Sequence, residues 1–342
     1  MELIASATPV RQFLTYLDHI GLDERKLRVG HIDPRLRKSS TPLRVSARLL
    51  IELMETASEK AGLPDLGLEY AEWMNPKGFD AVGLLWEQSS SLSEWYELSQ
   101  RYIHLENNAL QYDIARDEEE VALIHGVLAM LRSRSSQFMN AFLALTVRVC
   151  RGVFGHEWNP VRVEFATARP ANINAYRKFF RCDLRFGEDR SAVIIRPDEF
   201  ERKLPRANAE MLSYICQHLE QESLHWSANI EDQVTQIILS EIAGKAPTLS
   251  TVAARLAISP RTLQRRLEQR GTEFSEMLKS VRKEIIADRL GRPDPASLVQ
   301  LAFDLGFSEA SAASRFIRNE LGYSMRERTR HVTGELARSQ KE

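Results

Sequence analysis

Long apolar segments are absent from the sequence. The longest candidate, residues 138–147, is interrupted by Asn140 and Thr146, whereas a helix that crosses a membrane needs about 20 apolar residues in succession. The N-terminal segment contains Glu2 and Asp18 and no apolar stretch of the kind found in secretion signals. These absences predict a soluble, cytoplasmic protein that has no membrane partner.

Cysteine is also scarce, and its spacing excludes the common cysteine sites. The chain has three cysteines, Cys150, Cys182 and Cys216, and no Cys-x-x-Cys motif. An odd number of widely spaced cysteines supports neither a disulfide framework nor a zinc site. We therefore expect three buried thiols and neither a metal nor a cofactor, with a redox role as the less favoured alternative.

The motifs of common enzyme classes are missing. There is no nucleophile elbow, no glycine-rich phosphate loop and no His-Glu-x-x-His, and the eight histidines are scattered along the chain. The acidic run at 117–120 lies between two segments of alternating polarity, residues 110–114 and 121–125, which predicts the solvated turn of a β-hairpin and not a metal site. We therefore predict that the chain is not an enzyme.

Positive charge is concentrated in one part of the chain. Over 342 residues the formal net charge is −1, but residues 255–292 contain ten Lys or Arg and five Asp or Glu, a local net charge of +5. The rest of the chain must then carry −6. A localised basic segment on a mildly acidic chain is typical of a nucleic-acid site.

One pattern occurs twice between residues 249 and 330. Each copy consists of a short apolar helix, a tight turn that contains a serine, and a second helix with an arginine at a matching place. The first helices correspond at an offset of 49 residues and the second helices at 50, so the second turn has one extra residue. This order is typical of a helix-turn-helix motif.

The spacing of apolar residues predicts which face of each motif is buried. In the first copy Ser259 is a helix cap and Pro260 suits the first helical turn, since its missing N–H costs nothing there. Residues spaced by three and four then face the core. The residues that we assign to the helices and turns of the two motifs are Thr248, Val252, Ala253, Leu256, Ser259, Leu263, Leu267, Leu301, Ala302, Gly306, Phe307 and Ile317.

The outward residues of each second helix are the candidates for DNA contact. Arg and Gln side chains make bidentate hydrogen bonds to guanine and adenine in the major groove. Arg265 and Arg315 could instead contact a phosphate or a core carboxylate. The side chains of Ala310 and Ser311 are poorly suited to recognising bases. The predicted DNA-binding residues are Arg261, Gln264, Arg265, Ser311, Ser314 and Arg315.

A single amphipathic helix is predicted between the two copies, over about residues 274–290. A helix of this length spans roughly 24 Å. A rigid spacer of that order could hold two recognition helices in successive major grooves, which are about 34 Å apart.

The C-terminal segment resembles the DNA-binding domain of the AraC family of bacterial transcription regulators. Residues 302–308, 314–318 and 321–324 carry the resemblance, which extends over about a hundred residues and includes both copies in order. The sequence departs from the family pattern at four positions, Ala257, Ala313, Met325 and Arg328. The resemblance implies an all-α domain in which a linker helix joins two helix-turn-helix motifs on double-stranded DNA.

The N-terminal part predicts an α+β domain, with helices first and then short strands with helices between them. It resembles the arabinose-binding-like effector domain of long-chain AraC-type regulators. The resemblance is carried by residues 83–86, 93–96, 154–158, 161–165, 175–180 and 184–187. It implies an unidentified small-molecule effector and a homodimer, and it does not imply arabinose. The aromatic residues Trp86, Trp95 and Tyr96 line either an effector pocket or the core, and we favour the core.

The predicted organisation is an effector-binding and dimerisation domain at 1–205, a connector helix at 206–229, the DNA-binding domain at 230–335 and a tail at 336–342. We expect a sequence-specific regulator, an activator by family analogy, that is modulated by a small molecule. RNA polymerase would be a further partner of an activator, and the bound protein would lie on the bacterial nucleoid. The alternatives are an architectural DNA-binding protein without an effector and an enzyme with an appended DNA-binding unit.

Overall fold

The chain forms two compact units, residues 2–226 and residues 227–342. The computed structural model describes residues 3–27, 29, 32–33, 35–38, 43–75, 81–128, 131, 134–205, 207–227, 230–256, 258–290 and 297–322. The first unit combines helices and sheets, and the described part of the second unit is helical, which confirms the predicted fold class.

Two sheets lie in the N-terminal unit. The larger sheet has the strand order β3-β4-β7-β5-β6, in which only β5 and β6 are parallel. Its central strand β7 is buried along its whole length, lies between β4 and β5 and packs against helix α7 (Ser136–Phe154). The strands are β1 (Ile4–Ser6), β2 (Arg44–Ser46), β3 (Leu110–Arg116), β4 (Val121–Val127), β5 (Arg162–Phe165), β6 (Asp183–Phe186) and β7 (Ser191–Ile195).

The small antiparallel sheet of β1 and β2 was not predicted from the sequence, which placed helices first in the N-terminal part. Both strands end in a serine that caps the following helix. The Ser6 hydroxyl accepts a hydrogen bond from Thr8 N at 3.1 Å, and the Ser46 hydroxyl accepts one from Arg48 N at 3.3 Å. Three-residue strands are too short to show a clear alternating pattern, so the helical pattern that follows dominates.

The helices of the N-terminal unit surround a central helix, α7. This helix packs against α3, α4, β4 and β7. Gly67 of α4 permits the closest approach, because a β-carbon at this position would lie 2.1 Å from Gln137 O. The helices are α1 (Ala7–His19), α2 (Arg35–Lys38), α3 (Ala47–Ala61), α4 (Leu66–Trp73), α5 (Ala81–Gln88), α6 (Leu92–Glu106), α7 (Ser136–Phe154), α8 (Ile173–Phe180), α9 (Pro197–Phe200) and α10 (Ala209–Ser227).

The acidic run is the turn of the predicted hairpin between β3 and β4. The Asp117 carboxylate accepts hydrogen bonds from Glu119 N and Glu120 N, both at 2.8 Å. Glu120 also forms an ion pair with Arg162 of β5. The run therefore shapes a turn and anchors it to the neighbouring part of the sheet.

Helix α10, which lies in the predicted connector, belongs to the N-terminal unit. The Glu220 carboxylate accepts hydrogen bonds from Arg101 at 3.3 Å and from the Tyr102 hydroxyl at 3.4 Å, both on α6. Leu219 is buried on the same helix.

The described part of the second unit is built around α11 and α14. Helix α11 packs against α12, α13 and α14, and α14 packs against α15. Val234, Ile238 and Ile285 are fully buried at the centre of this unit. The helices are α11 (Ile230–Glu241), α12 (Leu249–Arg255), α13 (Pro260–Glu268), α14 (Phe274–Leu290), α15 (Leu298–Asp304) and α16 (Ala310–Leu321).

The thiols differ from expectation. Cys150 is buried, but Cys182 and Cys216 are only half-buried. Burial raises the pKa of the Cys150 and Cys182 thiols to about 12.

Among the described residues no cluster of His, Cys, Asp and Glu is arranged to hold a metal ion. None of the helices in the described ranges has the length and apolar character needed to cross a bilayer.

Candidate DNA-binding surface and effector cavity

The first helix-turn-helix motif consists of α12, a turn and α13. Thr248 caps α12, since its hydroxyl accepts a hydrogen bond from Thr251 N at 3.2 Å while Thr251 Oγ1 accepts one from Thr248 N at 2.8 Å. Ser259 caps α13 as predicted, accepting a hydrogen bond from Thr262 N at 3.1 Å, and Pro260 occupies the first turn. Because both caps satisfy backbone N–H groups, they set where each helix begins.

Helix α13 separates its buried residues from its exposed ones. Leu263 and Leu267 are buried on the face towards the core, four residues apart. Arg261, Gln264 and Arg265 are exposed together on the opposite face. Residues three and four apart are neighbours on a helix surface, so these three side chains form one polar patch near the start of the helix.

The other assigned residues of the first motif are also placed by the structure. Val252 and Ala253 are fully buried on α12, where the small alanine allows close packing. Leu256 was expected in the core but is half-buried, because it lies at the C-terminal cap of α12. Ala257 lies outside the described residues.

The second motif repeats the first with the predicted change of register. Helix α15 starts 49 residues after α12, and α16 starts 50 residues after α13. The extra residue moves the cap from Ser308 to Glu309, whose side chain makes no capping hydrogen bond. Instead, the Glu309 carboxylate accepts a hydrogen bond from the Ser311 hydroxyl at 2.9 Å.

The exposed face of α16 is narrower than the sequence predicts. Ser311 and Arg315 are exposed, but Ser314 and Ala310 are half-buried. Arg318, which the sequence analysis did not select, is exposed one turn further along. Leu301, Ala302 and Ile317 are buried as core residues of the motif.

The turn of the second motif depends on a close backbone approach. Gly306 has a φ of +70°, and a β-carbon here would lie 2.4 Å from Ile242 O and 2.6 Å from Ala246 N. Two hydrogen bonds join the same segments, from Gly244 N to Phe303 O at 2.8 Å and from Ala246 N to Gly306 O at 3.2 Å. The turn is thereby attached to the loop that precedes the first motif.

Arg282 of the linker helix supports the second motif from inside the unit. Its guanidinium lies 4.0 Å from the centre of the half-buried Phe307 ring, and its Nε donates a hydrogen bond to Leu305 O at 3.0 Å. Burial lowers the pKa of Arg282. Ala313 is fully buried at the position that matches Leu263 of the first motif. Arg282 was not predicted from the sequence, because an arginine on an amphipathic helix usually faces solvent.

Ion pairs neutralise part of the basic segment. Lys279 and Lys283 of α14 both bind Glu320, at 3.0 and 2.9 Å, and Arg289 forms a buried ion pair with Asp304 of α15. The basic residues without an ion-pair partner among the described residues include Arg261, Arg265, Arg266, Arg315 and Arg318, all on α13 or α16. Both second helices therefore carry uncompensated positive charge.

The N-terminal unit contains a partly open cavity of about 120 Å³. It is lined by residues of β1, β2, β3 and six helices, from Ala5 near the start of the chain to Val149 on α7. Trp86 and Trp95 are lining residues, contrary to the expectation that they belong to the core alone. Tyr96 is a core residue, fully buried with its hydroxyl donating a hydrogen bond to Ile124 O at 2.6 Å.

Two titratable groups lie beside the cavity. Burial raises the pKa of Glu55 to about 7, although its carboxyl accepts hydrogen bonds from Gln137 N and Phe138 N at the start of α7. Burial lowers the pKa of His125 to about 3, so this ring is neutral at physiological pH. His125 Nε2 is 3.2 Å from the Oγ1 of Thr146, a lining residue.

Comparison with known families decides the classification. Residues 21–204 match the N-terminal arabinose-binding domain of AraC transcription regulators, and residues 252–331 match a helix-turn-helix domain. The first match alone covers more than half of the chain.

The chain belongs to the AraC family of transcription regulators.

Individual AraC-type relatives are similar over most of the chain. The transcriptional regulator VirS of Mycobacterium tuberculosis is 24% identical over 279 residues, which is 81% of this chain and 82% of that protein. The ornithine utilization regulator of Pseudomonas aeruginosa is 24% identical over 275 residues, 79% of this chain and 80% of that protein. The crystal structure of the regulator CdpR from Pseudomonas aeruginosa aligns with a TM-score of 0.45 and 17% identity, covering 93% of this chain and 97% of that one.

Family membership makes this chain a transcription regulator with a helix-turn-helix DNA-binding domain and an arabinose-binding-like N-terminal domain. The last part of the helix-turn-helix match, including Met325 and Arg328, lies outside the described residues. Both relatives are named as regulators.

Proposed function

We propose that the chain reads DNA through α13 and α16 and that a small molecule in the N-terminal cavity modulates this binding. The observation that carries the proposal is a cavity of about 120 Å³ within one unit of a chain whose other unit has two helix-turn-helix motifs. An architectural DNA-binding protein needs no such cavity. The cavity therefore favours a ligand-responsive regulator over that alternative.

The proposed DNA-reading surface is centred on α13. Arg261, Gln264 and Arg265 are exposed together near the start of this helix, and the two arginines have no ion-pair partner among the described residues. Arg and Gln in this arrangement match the hydrogen-bonding edges of guanine and adenine. The Gln264 amide donates a hydrogen bond to Glu268 at 3.0 Å, which it would exchange for a base.

We assign a weaker reading role to α16. The Ser311 hydroxyl is already bound to Glu309, and the carboxylate of Glu309 is exposed at the start of the helix, where it repels DNA phosphates. Ser314 is half-buried, so Arg315 is the principal contact that we propose for this helix. Arg315 would bind a base edge or a phosphate.

The control mechanism that we propose is a population shift. A ligand shifts an equilibrium between two conformations of the protein only as far as its affinities for those two conformations differ. A coupling of about 1–3 kcal/mol between cavity and DNA-binding surface changes DNA affinity roughly 5- to 150-fold, which is enough for a useful switch.

The remaining parts of the proposal rest on the family resemblance. We propose a homodimer formed through an effector domain at 1–205, a connector at 206–229, and a DNA-binding domain at 230–335 that precedes a tail. We also propose that the regulator is an activator and that RNA polymerase is its partner at the promoter. Sedimentation of the purified chain tests the dimer, and transcription in vitro from a selected site, with and without the chain, tests the direction of regulation.

The test of DNA reading is selection of duplexes from a random pool by the full chain at two salt concentrations. We expect two enriched blocks about one helical turn apart. Arg261→Ala should weaken binding to the selected site by about 1–3 kcal/mol and relax the preference at one base pair.

Arg185→Ala is the matched control, because it removes the same charge from an exposed residue of the N-terminal sheet. An unchanged dissociation constant and preference for Arg261→Ala would refute the assignment of α13. Enrichment of a single block would restrict base reading to one helix. A pool without any enrichment would favour the architectural alternative.

A further inference from the structure

We infer that the cavity of the N-terminal unit takes a compact, mainly apolar molecule without negative charge, and not a sugar. The occupant would be a single ring or a short branched chain with one hydrogen-bond acceptor. This inference rests on the proposed function, in which the cavity is the effector site.

The size of the cavity sets the size of the ligand. At about 120 Å³ the cavity is slightly smaller than an apolar protein cavity of about 150 Å³ that binds benzene. A ligand of roughly six to nine non-hydrogen atoms therefore fills it.

The lining is predominantly apolar and aromatic. Side chains such as Leu50, Met54, Trp95, Phe138 and Phe142 make up most of the surface. Burial of an apolar ring against them is favourable in proportion to the apolar area removed from water. A sugar gains little here, because most of its surface is hydroxyl.

Several polar atoms of the lining are already committed to the protein. The Ser6 and Ser46 hydroxyls cap helices α1 and α3, and Asn107 Oδ1 accepts a hydrogen bond from Ala109 N at 2.9 Å. The Thr146 hydroxyl donates to Phe142 O at 3.1 Å. Each ligand hydroxyl left without a partner would weaken binding by about 5- to 150-fold, so this mainly apolar lining disfavours a molecule with four hydroxyls.

The charge of the lining excludes anions. Glu106 contributes the one carboxyl group of the lining, and no Lys, Arg or His is found among the described residues that form it. A buried anion needs a nearby positive charge or several hydrogen-bond donors. A carboxylate ligand would find no positive charge in this lining and would lie near another carboxyl.

One buried donor specifies the acceptor on the ligand. The Trp86 indole N–H is buried and has no acceptor among the described residues, although Trp86 is part of the lining. The N–H has almost no exposed surface, so a ligand oxygen reaches it only when the indole ring shifts slightly. Such an oxygen would then satisfy a donor that otherwise has no acceptor among the described residues. The six-membered part of the indole covers Gly152 of α7, which holds the ring in place.

The experiment compares benzyl alcohol, toluene, benzoate and L-arabinose as probes of the full chain. Trp86 and Trp95 line the cavity, so tryptophan fluorescence reports binding directly. Benzyl alcohol and toluene should change the fluorescence saturably and, at about five times their dissociation constants, raise the thermal midpoint of the N-terminal unit by about 2–4 °C. Benzoate and L-arabinose at the same concentrations should do neither.

Two variants test the site itself. Ala141→Leu fills the cavity from α7 and should abolish binding of both apolar probes, whereas Ala115→Leu makes the same change on the exposed face of β3 and should have no effect. Trp86→Phe keeps an aromatic ring but removes the N–H. This variant should bind benzyl alcohol several-fold more weakly and should bind toluene with unchanged affinity.

The outcomes separate this inference from the proposed function. Binding of L-arabinose or benzoate in place of the neutral probes would overturn the ligand class and leave effector control intact. Absence of binding by all four probes, or equal binding to the Ala141→Leu variant, would also overturn the inference. Apolar binding at the cavity without any change in DNA affinity would support the ligand class and contradict effector control.

Discussion

The close backbone approach at Gly306 leads to a prediction that isolates one contact. Gly306 and Gly271 have nearly the same backbone conformation, with φ of +70° and +75°. A β-carbon at Gly271 would have nothing within 4 Å, whereas one at Gly306 would lie 2.4 Å from Ile242 O. Substitution of each glycine by alanine therefore imposes the same local strain, but only Gly306→Ala forces two segments of backbone apart.

The magnitudes differ accordingly. The left-handed conformation costs an alanine roughly 1–2 kcal/mol, and about 0.4–1 kcal/mol is recovered because alanine restricts the unfolded chain. Gly271→Ala should thus lower the free energy of unfolding by about 1 kcal/mol. At Gly306 the backbone must move by about 1 Å to restore an ordinary contact, and the hydrogen bonds Ala246 N to Gly306 O and Gly244 N to Phe303 O would be lost. At about 1 kcal/mol each, they bring the total to about 3 kcal/mol.

Hydrogen exchange of the full chain, followed by mass spectrometry of its peptides, measures both effects. We expect exchange in α11 and α15 to be about 150-fold faster in Gly306→Ala and roughly fivefold faster in Gly271→Ala, since each 1.4 kcal/mol is a factor of ten. Peptides from residues 81–128 serve as an internal control and should not change. Equal effects of the two substitutions would show that the contact with Ile242 and Ala246 does not constrain the turn.

Two further predictions concern buried charge. Glu55→Gln should flatten the pH dependence of the free energy of unfolding of the N-terminal unit. In the folded chain the pKa of Glu55 is raised from 4.5 to about 7, so only the folded form holds this proton between those values. The free energy of unfolding of the parent therefore falls by about 3 kcal/mol as the pH rises through that window. Urea unfolding followed by tryptophan fluorescence at pH 5 to 8 measures this, because all five tryptophans lie between residues 73 and 226, and parallel curves for variant and parent would contradict it. Asp304→Ala leaves the Arg289 guanidinium buried without its ion pair and should destabilise α15 by about 3–5 kcal/mol, measured by hydrogen exchange. The double variant Arg289→Met with Asp304→Leu removes both charges and should be nearly neutral. Equal loss in the single and double variants would refute this interpretation.

Local patterns were enough to predict much of the DNA-binding unit. The caps at Thr248 and Ser259, the buried pair Leu263 and Leu267, and the 49- and 50-residue offsets are all properties of short stretches of chain. Periodicity of 3.6 residues and capping chemistry act over one or two turns, so they are readable in the sequence. The β3–β4 hairpin was also predictable, because its alternation of polar and apolar residues is a local pattern as well.

Other features exist only because distant segments meet. The cavity combines residues from Ala5 to Val149, the Gly306 turn rests on Ile242 and Ala246, and Arg282 stacks on Phe307. No local pattern distinguishes a tryptophan in a packed core from one at the wall of a cavity, because the difference lies in the volume that other elements leave unfilled. The sequence by itself thus determined the family and the two motifs, and it predicted arginines for DNA contact that the structure leaves exposed, Arg261, Arg265 and Arg315. The tertiary structure decided the size and chemistry of the cavity, since packing density depends on side chains that are far apart in the chain.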